Sequence, residues 1–191
     1  SEERRELLRP LYHLLGDSVG YKYQTNDPDL LKLREIAWLP ASNISQQWFK
    51  PTEIFPASFD LVGRYAPILA FREPTVQLRE LLNMAFDPPV SAVFKHLLNC
   101  MDKRVEAKEI IYQFLARHAP AEQIEMLRNR SSIWIKNYFW RPKQVFFYSK
   151  QIADLFRHRR GYIDGNLPLD IRTFFGKLGI REQPHPWDDS L

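Results

Sequence analysis

Two octapeptides in this chain are closely alike, WFKPTEIF at residues 48–55 and FWRPKQVF at residues 139–146. Both place a basic residue before a proline and enclose that pair between large apolar side chains. An internal repeat constrains the fold more than any single helix or strand, because both copies must solve the same packing problem. Glu53 of the first copy is replaced by Gln144 in the second, and an amide cannot do the proton chemistry of a carboxylate. The octapeptide therefore predicts shared architecture rather than a catalytic motif.

Further matches follow the same order in both halves of the chain. The matched pairs are 11–15 with 111–115, 33–34 with 127–128, 60–61 with 154–155, Pro74 with Pro168, and 84–86 with 178–180. We therefore predict a tandem duplication, because only small insertions are needed to keep these pairs in register. Residues 1–87 are the first repeat, which lacks its leading helix, and residues 88–183 are the second. Residues 184–191 are predicted to begin a further, truncated unit.

Apolar side chains at helical spacing predict most of the regular structure. One helix is expected over residues 90–101, a second over 109–117, and a short one from Pro120 to near Leu127. Each repeat is expected to close with a helix, which carries Leu78, Leu81 and Leu82 in the first copy and Ile171, Phe174, Phe175 and Leu178 in the second. The predicted fold class is α+β: two tandem, helix-rich repeats that mix helices with a β-hairpin and pack side by side.

The strands of that hairpin are predicted from β-branched and aromatic runs. In the second copy these runs are residues 132–135 and 145–148, and in the first copy they are 36–39 and 53–55. The two prolines of the octapeptides hold φ at about −65° and bias the preceding residue towards an extended conformation. We therefore expect each proline to begin the second strand of its hairpin.

Three stretches resemble the repeated modules of sacsin and sacsin-like proteins: WLPASNISQQWFKPTEIF at 38–55, LRELLNMAFDPP at 78–89 and FFGKLGIREQP at 174–184. The likeness extends from near residue 30 to near residue 184. It implies a non-catalytic interaction or scaffold module of a large cytoplasmic co-chaperone, which contributes to protein folding or quality control and to cytoskeletal organisation. It also implies protein partners, either heat-shock chaperones or neighbouring domains of the same chain, and a fragment that is monomeric.

Motifs for catalysis and cofactor binding are missing from the sequence. There is no GxGxxG, GxxxxGK[ST], HExxH or GxSxG, and the five histidines and the one cysteine, Cys100, have no metal-ligand spacing. We therefore predict no catalytic, cofactor-binding or metal-binding residues, and no enzyme. No apolar run is long enough to span a membrane and the N-terminal stretch is charged, which favours the cytoplasm.

Positive charge is concentrated in the second half of the chain. Residues 127–160 contain one acid, Asp154, and nine basic residues: Arg128, Arg130, Lys136, Arg141, Lys143, Lys150, Arg157, Arg159 and Arg160. The equivalent segment of the first copy, residues 34–66, has three basic and three acidic residues. The excess charge is thus a property of the second copy alone, whereas several of its aromatic residues have apolar partners in the first copy.

Three interpretations of this charge stay open. The simplest is a solvated basic face, and the next is a surface for an acidic protein partner or a neighbouring domain. The candidate partner-binding residues are Arg141, Lys143, Arg157, Arg159 and Arg160. The third interpretation is a surface for nucleic acid or anionic lipid. The alternative function is a basic nucleic-acid-binding domain that uses the 128–160 face, because basic groups interleaved with aromatic rings suit single strands. The repeated aromatics favour a core role for the rings, so we rank nucleic acid below protein.

Overall fold

The chain is described by a computed structural model that covers residues 2–19, 27–156 and 160–183, without the side chain of Leu155. The α+β prediction is confirmed, since the chain combines helices with small strands of two or three residues. The chain divides into two compact units, Ser1–Val93 and Phe94–Leu191. This division lies a few residues after the predicted one between residues 87 and 88. The predicted further unit at 184–191 lies outside the described residues.

The described α-helices range from 4 to 17 residues, and the described strands have two or three. The helices are α1 Glu2–Ser18, α2 Pro28–Leu31, α3 Phe59–Val62, α4 Val76–Leu82, α5 Val90–Lys103, α6 Glu109–His118, α7 Ala121–Arg128, α8 Lys150–Phe156 and α9 Leu169–Leu178. The 3-10 helices are Lys32–Arg34, Pro51–Glu53 and Pro142–Gln144. The strands are β1 Leu39–Pro40, β2 Trp48–Phe49, β3 Ile133–Ile135, β4 Tyr138–Trp140, β5 Val145–Phe147 and β6 Gly161–Ile163. No helix of the described residues has both the length and the apolar character needed to cross a membrane.

The predicted strand pairing of the second copy is wrong. The sequence pattern pairs residues 132–135 with 145–148, but β3 pairs antiparallel with β4, and β5 pairs parallel with β6. The reason is the turn at Lys136 and Asn137, whose φ angles of 48° and 72° reverse the chain directly after β3. A two-residue turn with both φ angles positive matches the twist of a hairpin.

The predicted strands of the first copy are also displaced. The sequence pattern places them at 36–39 and 53–55, whereas β1 and β2 pair through Leu39 with Phe49 and Pro40 with Trp48. The prolines explain the error. Each octapeptide proline is buried and begins a 3-10 helix instead of a strand, because its fixed φ also suits the first position of a helical turn. The residues before them, Lys50 and Arg141, do have the predicted extended conformation, with ψ angles of 153° and 135°.

Both units share a run of local elements, to which the second unit adds the parallel strands β5 and β6. A helix is followed by a second helical segment, an antiparallel hairpin, a 3-10 helix with a buried proline, a short helix and a closing helix. Arg34 ends the second segment of the first unit and donates to the carbonyl oxygens of Leu81 (2.6 Å) and Glu80 (3.0 Å). Arg128 ends the second segment of the other unit and donates twice to the Lys177 carbonyl, at 3.1 and 2.6 Å. A tandem duplication predicts such common features, and the duplication itself stays a prediction.

The closing helices α4 and α9 end in the same way. Asn83 and Gly179 have left-handed φ angles of 52° and 105°, a conformation that commonly ends helices. The next residues, Met84 and Ile180, are buried, and their N–H groups donate back to the carbonyls five residues earlier. Met84 therefore corresponds to Ile180, and the sequence match of 84–86 with 178–180 is displaced by two residues.

In each unit a buried tyrosine anchors one helix to the backbone of that unit's own core. In α1 the Tyr12 hydroxyl donates to the Arg72 carbonyl at 3.2 Å. In α6 the Tyr112 hydroxyl donates to the Ser132 carbonyl at 2.9 Å and accepts from the Trp134 N–H at 3.1 Å. Burial raises the pKa of both phenols, because the charged phenolate would lose its hydration.

We expect Tyr112→Phe to lower the free energy of unfolding by about 1–3 kcal/mol, because it leaves a buried carbonyl and a strand N–H without their partner. Since the pKa of Tyr112 is raised in the folded state, this stabilisation is present below about pH 10 and is lost as the pH rises further. Urea denaturation followed by circular dichroism at pH 7 and pH 10.5, about half a unit above the ordinary phenol pKa, measures both effects. Tyr138→Phe is the control, because the Tyr138 side chain is 70% exposed; equal effects of the two variants would contradict the prediction.

Gly161 begins β6 at a point where the core leaves no room for a side chain. A Cβ atom there would lie 2.9 Å from Ile135 Cδ1, 3.2 Å from Val145 Cγ2 and 3.3 Å from Trp140 Cδ2. We expect Gly161→Ala to cost about 1–3 kcal/mol of stability by overpacking. Gly176→Ala in α9 is the matched control, since its Cβ would meet no atom within 4 Å. If both variants change the melting temperature by the same amount and in the same direction, the core around Gly161 can relax to admit the added methyl group.

Candidate partner-binding site

Two of the predicted partner-binding residues, Arg141 and Lys143, line one groove of the second unit. Its volume is about 290 Å³, and its other lining residues are Arg128, Asn129, Leu178 and Gly179. We call these six residues the basic groove. Arg141 follows β4, and Lys143 lies in the 3-10 helix behind it, while the other residues come from the ends of α7 and α9. The extended backbone of Arg141 and the buried proline after it hold this edge of the groove in place.

The structure does not place all five predicted residues together. Arg160 lies just before β6, with its guanidinium carbon 5.4 Å from the centre of the Phe156 ring, and it does not line the basic groove. Arg157 and Arg159 lie outside the described residues. Of the predicted set, only Arg141 and Lys143 therefore share a site.

Arg128 and Asn129 form a fixed wall of the basic groove. Besides its two hydrogen bonds to the end of α9, Arg128 forms an ion pair with Glu125, with Nη1 and Oε2 2.9 Å apart. A cation at this position is also favoured by the partial negative charge at the C-terminus of a helix. The Asn129 side-chain amide donates to the Glu125 carbonyl at 3.1 Å and to its Oε1 at 2.9 Å. Both side chains are thus held by contacts within the second unit.

Arg141 and Lys143 differ from that wall, because their side chains are exposed and form no hydrogen bond or ion pair with any described residue. Their backbone carbonyls do have partners, since Arg141 accepts from the Gln144 N–H at 2.8 Å and Lys143 accepts from Arg181 at 3.5 Å. The backbone is therefore held in place while both charged groups stay available. Within the described part of the second unit, Arg130, Lys136 and Lys150 are also exposed and without a side-chain partner.

Asn129 was missed by the sequence prediction, which searched for charge. A signal was nevertheless present, because Asn129 directly follows the matched pair 127–128, just as Glu35 follows 33–34. In the first unit Glu35 forms an ion pair with Lys50, with Oε2 and Nζ 3.3 Å apart. The matched residues alone therefore show that an amide stands in the second unit where the first unit has an acid.

The aromatic residues of the 128–160 face have different environments. Phe147 is buried, while Trp134 and Phe139 are half-buried and meet edge to face at 4.9 Å. Tyr138 and Tyr148 are exposed by 70% and 58%. None of these rings lines the basic groove, so base stacking cannot contribute to binding within it.

A larger groove of about 600 Å³ lies elsewhere in the second unit, and its arginine and its serine hydroxyl already have partners within that unit. Arg172 donates to the Gly165 carbonyl at 2.8 Å and to Glu182 at 2.5 Å. The Ser149 hydroxyl accepts from the Ile152 N–H at 3.3 Å, which occupies it as a helix cap. No histidine lies among the described lining residues to activate that hydroxyl as a nucleophile.

Cys100 is buried on the apolar face of α5, as its sequence pattern predicts. Its sulfur lies 4.0 Å from His96 Nε2. Burial raises the pKa of the thiol, and the nearby Lys103 offsets only part of this effect. The thiol is therefore protonated at neutral pH and is a poor nucleophile. Within residues 2–19, 27–156 and 160–183, no three histidine, cysteine or acidic side chains gather into a metal-binding cluster.

Comparisons of the chain with protein-family models, curated proteins and solved structures find no match. What the basic groove can bind is therefore inferred from its own residues. Arg128 and Asn129 are held in place by contacts within the unit, Arg141 and Lys143 offer two exposed cations, and the groove residues include no catalytic pair. Such an arrangement can bind an anionic group by charge and hydrogen bonds.

We expect Arg128→Ala to destabilise the second unit by about 1 kcal/mol, because it removes charge-assisted hydrogen bonds at a half-exposed site. Arg130→Ala is the control, since Arg130 is exposed and has no described side-chain partner. Urea denaturation of both variants, monitored by tryptophan fluorescence, compares them directly. Equal midpoints would show that Arg128 does not hold the end of α9.

Proposed function

We propose that this chain is a non-catalytic interaction module that binds acidic segments of partner proteins through the second unit. The observation that carries the proposal is a set of exposed cations within residues 127–160 whose side chains have no described partner, which we call the unpaired cations: Arg130, Lys136, Arg141, Lys143 and Lys150. A surface with an excess of one sign of charge attracts partners of the other sign.

The difference between the units supports a specific role for this charge. Both units share a run of helices, hairpin and 3-10 helix, yet residues 34–66 carry balanced charge and residues 127–160 carry an excess of eight positive charges, nine basic residues against one acid. Architecture alone therefore does not require the cations. A property present in one unit and absent from the other is expected to serve recognition rather than folding.

The resemblance to sacsin repeats suggests the wider setting of this proposal. In that setting the chain is a scaffold segment of a large cytoplasmic co-chaperone, and its partners are heat-shock chaperones or neighbouring domains of the same chain. Protein folding or quality control and the organisation of the cytoskeleton are then the processes that it serves. The engaged arginine and serine hydroxyl of the larger groove and the protonated Cys100 thiol support a role without catalysis.

Single-stranded nucleic acid is the second candidate ligand. The observation that favours it is the position of the two exposed tyrosines, Tyr138 and Tyr148, each two residues from an unpaired cation, Lys136 or Lys150. Exposed rings beside cations can stack on bases and contact phosphates. The proposal ranks below acidic protein because the basic groove has no aromatic lining.

A binding experiment separates the two candidates. At low salt we expect the chain to bind a fluorescent polyglutamate peptide, and replacement of all five unpaired cations by glutamine to weaken binding by about tenfold or more. The control replaces Lys32 and Arg64 of the first unit by glutamine and is expected to leave binding unchanged. Fluorescence anisotropy measures both. No binding of polyglutamate by the unaltered chain, together with binding of oligo-dT that Tyr138→Ala weakens, would replace the first candidate by the second.

A further inference from the structure

The basic groove has a counterpart in the first unit in which the charges are paired. Two landmarks establish the correspondence without any appeal to overall similarity. Arg34 and Arg128 each donate to the last carbonyls of a closing helix. Lys50 and Arg141 each follow a hairpin and precede a buried proline that begins a 3-10 helix. The residues beside these landmarks can therefore be compared one by one.

In the first unit, acidic side chains surround the basic residue at the second landmark. Glu35, directly after Arg34, pairs with Lys50 Nζ at 3.3 Å. Glu53 Oε2 accepts from the Lys50 backbone N–H at 3.1 Å. The first unit thus supplies its own carboxylates to this place, and one of them contacts the cationic head.

In the second unit amides stand at the positions of both carboxylates, and one further cation is present. Asn129 stands where Glu35 stands, Gln144 replaces Glu53, and Lys143 replaces Thr52. The Asn129 amide group donates towards Glu125 and supplies no negative charge to Arg141. Glu125 pairs with Arg128 on the wall of the groove. Arg141 and Lys143 are therefore two cations whose counter-ion, present within the first unit, is missing from the described residues of the second.

We propose that the basic groove binds a single glutamate or aspartate side chain of a partner protein, in the role that Glu35 has in the first unit. Arg141 donates hydrogen bonds to the carboxylate through its planar guanidinium group, and Lys143 adds a second positive charge beside it. The inference rests on the proposed function and deepens it, because it names the group that is recognised and the residues that recognise it. A carboxylate is favoured over a phosphate because the internal counterpart is itself a carboxylate.

Restoring the internal acid tests this inference. Asn129→Glu returns the residue that the first unit has, and the new carboxylate is expected to pair with Arg141 and compete with the external one. Asn129→Gln has the same length and shape without the charge. We expect the dissociation constant for a fluorescent polyglutamate peptide to be about tenfold higher for the glutamate variant than for the glutamine variant, measured by anisotropy in about 0.15 M salt. Asn129 is exposed at the end of α7, so neither substitution disturbs the core.

A third variant separates local competition from general repulsion. Ser131→Glu adds the same charge at an exposed position that does not line the basic groove. With all variants compared in about 0.15 M salt, where the Debye length is about 8 Å, we expect its affinity for polyglutamate to stay within about twofold of the unaltered chain, because a screened charge outside the groove acts weakly. Equal weakening by Ser131→Glu and Asn129→Glu would overturn the groove as the site and leave a diffuse charge effect.

The failure of this inference can be told apart from the failure of the proposed function. If Asn129→Glu and Asn129→Gln bind polyglutamate equally, the groove is not the site; loss of binding on replacing Lys136 and Lys150 would then still support the interaction module. If the unaltered chain binds oligo-dT and not polyglutamate, both proposals are overturned. A preference for a phosphorylated peptide over its glutamate equivalent would replace the carboxylate by a phosphate and contradict the proposed ligand.

Discussion

In each unit one arginine at the end of a helical segment donates hydrogen bonds to the end of the closing helix, and the candidate site depends on these bonds. The last turn of a helix leaves carbonyl groups without partners inside the helix, and donors must come from elsewhere. Arg34 supplies them to α4 and Arg128 supplies them to α9. The following residue, Glu35 or Asn129, is thereby held beside the basic residue of its octapeptide. The basic groove exists because this constraint brings the ends of α7 and α9 to the same edge.

Helical periodicity predicts much of the fold, and the strands show where prediction from sequence fails. The apolar spacing of α5, α6 and α9 extends over ten residues or more, which is enough to establish a period. β3 and β4 have three residues each, and their turn lacks the glycine that usually marks a hairpin. The octapeptide prolines were ambiguous for a different reason. A φ near −65° is compatible with both a strand and a helical turn, and burial of the ring decides between them.

The exposed cations Arg141 and Lys143 of the candidate site were predictable from the sequence, whereas its uncharged residue Asn129 was not. Arg141 and Lys143 were found because the second copy has an excess of basic residues, and the structure places them in one groove. Arg160 carries the same charge but lies beside Phe156, since charge alone does not specify a position in the fold. Asn129 gives no signal of its own. Its position is informative only by comparison with Glu35, because the first unit has a carboxylate there and the second unit has an amide.

The reactivity of the buried Cys100 can report how often the chain opens locally. Its sulfur lies on the inner face of α5, the helix in which the division between the two units falls, and no other cysteine is present to react. A maleimide or disulfide reagent needs an exposed thiolate, so it can modify this residue only while the helix is transiently displaced. The rate of alkylation under native conditions therefore depends on how often α5 opens around Cys100, and no label or probe has to be introduced into the chain.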